Sequence, residues 1–391
     1  MVKPFQFVAL PKIIFRNGAI DGLPAIIKNF GNSIILVTGK RSFVDSERGS
    51  SILDKLRAEG ITFEHVPVNC EPSPELIDDT VAAIGNRSFN LVVAVGGGSV
   101  LDAGKAISAM LYKSGSVFDY LEGVGTKEHP GTKIPFIAVP TTSGTGSEAT
   151  KNAVISRIGK DGFKRSLRHD NFVPDIALVD PELTLNCPAA ITASSGMDCF
   201  TQLTEAYLSD KSSEYTDALA IEGLKAIKSS LIYAYKDGSD ISARSGMSFA
   251  ALTSGICLTN AGLGVVHGFA SSVGGMYNIP HGVICGTLMA LSNEANVKRL
   301  RRNQDNPSAL KKYATLGGIF LDKKSKSEGF IIDGFIDYLH HLTAGLHLPG
   351  LKEVGVNIED LEKIASLTDC KNNPVKLDRN EILEILEKRF T

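Results

Sequence analysis

Along the first half of the chain, short apolar runs alternate with segments of helical spacing. Residues 33–38 read as a strand that ends in Gly39, and Ile52, Leu53, Leu56 and Ala58 fall at helical intervals. Residues 62–66 read as a second strand, which Pro67 is expected to close. A helix over 75–84 leads to a fully apolar third strand, 91–95, and a helix over about 101–111 leads to a fourth, 134–139. The strands are apolar throughout instead of alternating, the pattern of a parallel sheet covered on both faces. After Cys187 the strand signals stop. Residues 197–208, 215–233, 243–258 and 383–390 carry helical spacing, and Asp378 with Glu381 three residues later predicts a capped start for the last helix. The expected organisation is an α/β N-terminal domain with a parallel sheet, residues 1–187, and an all-α C-terminal domain, residues 188–391.

Composition excludes several classes. A length of 391 residues suits two domains, and 43% hydrophobic with 21% charged residues describes a packed chain, not a disordered one. Forty-one basic against 43 acidic residues give a net charge of −2, so neither nucleic acid nor a membrane surface is expected as a partner. Six cysteines without a CxxC pair read as reduced thiols of a cytoplasmic protein, and residues 1–6 lack the apolar core of a signal peptide. Residues 245–293 contain no Asp, Glu, Lys or Arg, but Asn260, Gly262, Gly264, His267, Pro280 and His281 interrupt them. That stretch is too polar for a bilayer span and is expected to form buried helices around a site.

Glycine is the excess: 38 residues, nearly a tenth, against a usual roughly 7%. Gly96, Gly97, Gly98 and Ser99 join a buried strand to a helix, a turn whose free amides suit a phosphate. The P-loop pattern fails here, because Ser99 stands where its first Gly belongs and Ala106 replaces the Ser or Thr. A second loop, 140–150, begins with Pro140, Thr141, Thr142 and Ser143. Its residues Gly144, Thr145, Gly146, Ser147, Glu148 and Ala149 match GxGxxG/A. In a parallel sheet both loops emerge at the carboxyl edge, where ligands bind.

A metal-type constellation lies further on. Asp198 and Gln202 share a helix face at i and i+4, while His267 and His281 occupy the charge-free stretch. One carboxylate and two imidazoles suit a divalent ion with an open position.

With these segments in place, the chain resembles the iron-containing (group III) alcohol dehydrogenase family over almost its whole length. The likeness runs from 15–19 through the two glycine loops and 174–181 to Asn373, Pro374 and Val375. The resemblance implies a dehydroquinate-synthase-like fold and reversible hydride transfer between a small alcohol or aldehyde and nicotinamide. A divalent metal, Fe2+ or Zn2+, and a homodimer or larger homo-oligomer come with it. It implies that Gly96, Gly97, Gly98 and Ser99 hold the pyrophosphate, with Asp102, Thr141, Thr142, Thr145 and Lys164 along the cofactor. The metal ligands it implies are Asp198, His267, His281 and the position of Gln202, where the family usually has His. A further family His near the nicotinamide is replaced here by Ser271, which is left with the proton relay. At the adenine-ribose end an Asp of NAD-preferring members corresponds to Gly39, followed by Lys40 and Arg41, so NADP is expected over NAD. Two rival readings remain at this point: a dehydroquinate-synthase-like lyase that uses the nucleotide without net turnover, and a non-catalytic nucleotide-binding homologue.

Overall fold

A computed structural model describes residues 2, 4–304, 306–321 and 327–390. Met1 and Lys3 of the N-terminal segment, and the last residue of the C-terminal domain range, lie outside them. The chain forms two compact units, one of Val8–Arg157 with Lys164–Cys187, the other of Met1–Phe7, Ile158–Phe163 and Pro188–Thr391.

The first unit runs β1 (Lys12–Phe15), α1 (Leu23–Lys28), β2 (Ser33–Gly39), α2 (Glu47–Ala58), β3 (Thr62–Val68), α3 (Pro74–Ile84), β4 (Leu91–Gly96), α4 (Gly98–Met110), β5 (Phe136–Pro140), β6 (Asn152–Arg157), β7 (Phe163–Arg168) and β8 (Ile176–Val179). Six strands make one parallel sheet in the order β1-β8-β5-β4-β2-β3, and β6 pairs with β7. Burial explains the continuous hydrophobicity of the inner strands: Ile34–Val37, Leu91–Val95 and Phe136–Val139 are all buried, because both faces of the sheet are covered. On one face Leu36, Val93, Val95 and Val139 pack with Ile20, Leu23 and Ile27. On the other face α4 lies so close that a Cβ at Gly104 would sit 2.7 Å from Ala94 Cβ. Register aligns Thr38 with Val95 and Gly96 with Pro140. The carboxyl ends of β2, β4 and β5 therefore end level, at one edge.

Two expectations need correction here. Pro67 does not close its strand: β3 continues to Val68, with Pro67 opposite Thr38. As an edge strand β3 has a single neighbour, so a residue without an N–H is tolerated there. The GxGxxG-like run 144–149 opens no α-helix. It makes a single 3-10 turn, Ser147–Ala149, and passes into β6, so it lacks the strand–helix context of a dinucleotide fingerprint.

The second unit is helical apart from Phe163, the first residue of β7. It comprises α5 (Ala189–Leu208), α6 (Glu214–Lys236), α7 (Ile241–Ala261), α8 (Val265–Met276), α9 (His281–Asn303), α10 (Pro307–Phe320), α11 (Glu328–Gly345), α12 (Leu361–Leu367) and α13 (Arg379–Phe390). Met197, Phe200, Leu203, Val266, Phe269, Ile284, Leu288 and Tyr313 belong to one buried cluster. The last helix starts as its sequence predicts. Asp378 Oδ1 accepts from Glu381 N (3.1 Å), and Glu381 Oε2 accepts from Asp378 N (3.0 Å). The charge-free stretch 245–293 becomes most of α7, all of α8 and the start of α9. Among the described residues no single helix is long and apolar enough to cross a membrane; α7 and α8 reach that threshold only together, bent by 97°.

Candidate active site

The α/β unit brings the two glycine loops into contact. Gly97 caps α4 without a side chain, which leaves first-turn amides of a 13-residue helix unclaimed by any cap. Thr141 N donates to Gly96 O at 2.9 Å, and a Cβ on Gly98 would lie 2.7 Å from Thr145 Cγ2. Glycine is required at 98 by that approach. Thr142 stands beside Gly97, with its Oγ1 3.4 Å from where a Cβ would be.

Two buried residues of α4 hold the second loop in place. Asp102 accepts from Ser147 Oγ (2.5 Å) and from Val154 N (3.1 Å). Lys105 Nζ donates to Ser147 O (2.9 Å), Thr150 Oγ1 (2.8 Å) and Asn152 O (2.8 Å). Burial raises the pKa of Asp102, and burial brings Lys105 down to about 8. Glu148, also buried, is pushed up to about 7 by desolvation, with Lys105 opposing. The carboxylate of Asp102 is thus engaged within the protein at both oxygens. Lys164 on β7 is similarly engaged, with Nζ 2.5 Å from each oxygen of Glu71. Gly39 ends β2 at the same sheet edge; Lys40 beyond it is exposed, and Arg41 pairs with Asp45 at 3.3 Å.

The helical unit assembles the metal-type residues from three helices. On α5, Asp198, Gln202 and Glu205 are all buried, at spacings of four and three residues. His267 lies in the first turn of α8, capped by Gly264, and His281 is the first residue of α9, after Pro280. His267 Nδ1 is 2.6 Å from Glu205 Oε2, whose other oxygen accepts from Val266 N at 2.7 Å. That contact fixes the ring so that Nε2 faces Asp198. Asp198 Oδ1 lies 3.4 Å from His267 Nε2 and 3.5 Å from His281 Nε2, and it accepts no hydrogen bond among the described residues.

Cys285, one turn after His281, completes the group. Its Sγ is 3.8 Å from His267 Nε2 and 3.7 Å from His281 Nε2. The ligand atoms of Asp198, His267, His281 and Cys285 all lie within 4.8 Å of one another. A buried carboxylate oxygen with no partner, facing two imidazole nitrogens and a sulfur, is a donor set that fits a divalent ion. Electrostatics agree. Burial opposes ionisation of Asp198, yet the His281 and His267 rings bring it down to about 2. Burial also opposes charge on His267, but Cys285, Glu205 and Asp198 raise it well above its ordinary value. Burial pushes the Cys285 thiol up to about 12.

Of the sequence-expected residues, Asp198, His267 and His281 converge. Gln202 is buried on the same helix, its Oε1 accepting from Ser254 Oγ at 3.1 Å. Ser271 Oγ donates to the backbone oxygen of His267 at 2.9 Å, one turn back on its own helix. Sequence reasoning missed Glu205 and Cys285. The signal for Cys285 was the His281-x-x-x-Cys285 spacing, one helical turn; Glu205 and His267 are 62 residues apart and share no local pattern.

Comparison with known proteins agrees with the resemblance seen in the sequence. The family model described as iron-containing alcohol dehydrogenase matches residues 11–181, and its C-terminal counterpart matches residues 192–390. Alcohol dehydrogenase 4 of Saccharomyces cerevisiae (strain ATCC 204508 / S288c) is 35% identical over 394 residues, covering 98% of each chain. A crystal structure of 1,3-propanediol oxidoreductase superposes with a TM-score of 0.87 at 28% identity, over 99% of this chain and 100% of the other. Sulfoacetaldehyde reductase from Bifidobacterium kashiwanohense, solved in complex with NAD+, gives 0.84 at 26% identity, over 100% and 99%. These relatives favour a dehydrogenase over the lyase.

Proposed function

The chain belongs to the iron-containing alcohol dehydrogenase family, and from that premise we propose which of its residues serve each step of an NAD(P)-linked alcohol dehydrogenase. It is an oxidoreductase acting on CH–OH, with a small alcohol or aldehyde as substrate. When bound, the metal supplies polarisation of the substrate oxygen and the nicotinamide supplies the hydride exchange.

Residues 188–391 form the metal and substrate domain in this reading, and Asp198, His267 and His281 hold the ion, Fe2+ or Zn2+, with Gln202 offered by the sequence as a fourth donor. Glu205 keeps His267 in the tautomer that presents Nε2. Ser271, or a water on it, moves the alcohol proton.

Residues 1–187 form the nucleotide domain. Gly96, Gly97, Gly98 and Ser99 receive the pyrophosphate at the start of α4. Thr141, Thr142 and Thr145 line it from the second loop, which Asp102 and Lys105 hold in place. Lys164 lies further along the nucleotide. Gly39 sits at the adenine ribose, where the absence of a carboxylate and the nearby Lys40 and Arg41 favour NADP. A cytoplasmic homodimer or larger homo-oligomer with six reduced cysteines completes the reading.

The observation that carries it is the buried, unpartnered Asp198 Oδ1 facing two imidazoles. The test is a panel of short alcohols and aldehydes run with both nicotinamides, with and without chelator. Chelator-sensitive change in nicotinamide absorbance is expected, together with its loss in a folded His267→Ala variant. No net change with any alcohol or aldehyde would return the lyase reading.

A further inference from the structure

We propose that Cys285 is the fourth protein ligand of the divalent ion, in place of Gln202, and that its sulfur makes zinc the metal this chain prefers. The inference rests on the reading that Asp198, His267 and His281 hold an ion, and it names what completes the shell.

The spacing of the donors carries it. An ion with bonds of about 2.0 Å to nitrogen and oxygen and about 2.3 Å to sulfur holds tetrahedral donors roughly 3.3 Å apart for nitrogen and oxygen, and roughly 3.5 Å apart for nitrogen and sulfur. Asp198 Oδ1 stands 3.4 and 3.5 Å from the two Nε2 atoms, and Cys285 Sγ stands 3.8 and 3.7 Å from the same two. A cluster held by its own hydrogen bonds would draw imidazole nitrogen and carboxylate oxygen to under about 3.2 Å. Asp198 Oδ1 stands farther than that from both Nε2 atoms, at the separation a shared ion imposes, and the Cys285 sulfur contacts the same two nitrogens.

Helix geometry supplies the rest. Cys285 follows His281 by one turn of α9, so both side chains leave the same face. A buried cysteine usually packs as a small hydrophobe, but this one faces two imidazoles. Gln202 is less available, because its amide oxygen already accepts from Ser254 Oγ. On coordination the S–H bond is exchanged for a metal–sulfur bond, and one proton leaves to solvent. A thiolate in a tetrahedral set with imidazole suits zinc better than iron(II).

The test uses chelator-stripped protein titrated with Co(II). Wild type is expected to bind one equivalent, with visible ligand-field bands and a near-ultraviolet sulfur-to-cobalt charge-transfer band. Cys285→Ser should lose the charge-transfer band and keep the ligand-field bands, and Gln202→Ala should keep both. X-ray absorption on zinc-loaded wild type, which needs no variant, should show one sulfur at about 2.3 Å. A bound ion with only nitrogen and oxygen neighbours, or a charge-transfer band that survives in Cys285→Ser, overturns the proposal and leaves the Asp198, His267 and His281 reading intact. Failure of stripped wild type to take up either metal overturns both.

Discussion

Glu148 offers a test of the glycine-loop architecture that is independent of catalysis. It is buried in the loop that Asp102 and Lys105 hold against α4, and its pKa rises from 4.5 to about 7 through desolvation, with Lys105 only partly offsetting this. The folded state therefore binds the proton more tightly than the unfolded chain. The stability linked to this group is fully present below about pH 4.5 and is lost as pH rises through 7. At 1.36 kcal/mol per pKa unit, the penalty is about 1 kcal/mol at pH 5 and about 3 kcal/mol at pH 7.5. Glu148→Gln keeps the shape of the protonated acid and cannot ionise. Relative to wild type, the variant should gain about 2 kcal/mol between pH 5 and pH 7.5. In wild type that window lies below the Lys105 pKa of about 8. The chain has no tryptophan, so urea unfolding is followed by far-ultraviolet circular dichroism. A wild-type-to-variant difference that stays constant across those pH values would refute the burial argument. So would a variant that loses stability relative to wild type as pH rises.

Three further substitutions probe separate parts of the molecule. Gly98→Ala would put a Cβ 2.7 Å from the stiff Thr145 side chain, so thermal unfolding should show a loss of about 1–3 kcal/mol, and titration with NAD(P)H should show weaker binding. Glu205→Gln removes the charged partner of His267 Nδ1, and zinc affinity measured against a chromophoric chelator should fall by about 10- to 100-fold with folding intact. Gly39→Asp should move the ratio of kcat/KM for NADP over NAD toward NAD, and an unchanged ratio would count against Gly39 as the ribose-end position.

The sequence made β2, β4 and β5 legible because they are buried on both faces and show it as unbroken apolar runs, but β8, an inner strand of only four residues, was not read as one although it is equally buried. It did not reveal β1, whose four residues are mostly exposed at a sheet edge, nor β6 and β7, whose pairing carries Lys164, Arg165 and Arg168. Pro67 misled for a related reason, since edge and inner strands look alike until the neighbours are known. At the metal-type site, Asp198, His267 and His281 were legible as residue types in motifs. Cys285 was not, because one cysteine within an apolar helical run reads as core. Asp102 was read as a cofactor contact. Its partner Ser147 lies 45 residues away, a relation that only the folded chain displays.

The charge-free stretch 245–293 acquires a physical meaning from these contacts. The stretch that supplies His267, His281 and Cys285 brings no acidic or basic side chain with it, and the formal negative charges of the cluster come from α5, as Asp198 and Glu205. Two carboxylates in a helical core are costly unless compensated. His267 compensates one through Nδ1, and its other nitrogen faces the second. With one imidazolium between two carboxylates the group still carries a net negative charge, which attracts a cation. Close packing preserves that attraction by excluding solvent: a Cβ on Gly264 would lie 2.9 Å from Glu205 Oε1, and one on Gly282 would lie 2.4 Å from Ser194 O. The glycine excess therefore has two causes. In the α/β unit it lets one loop lie against the start of a helix, and in the helical unit it lets backbone close around a charged cluster in a low-dielectric setting.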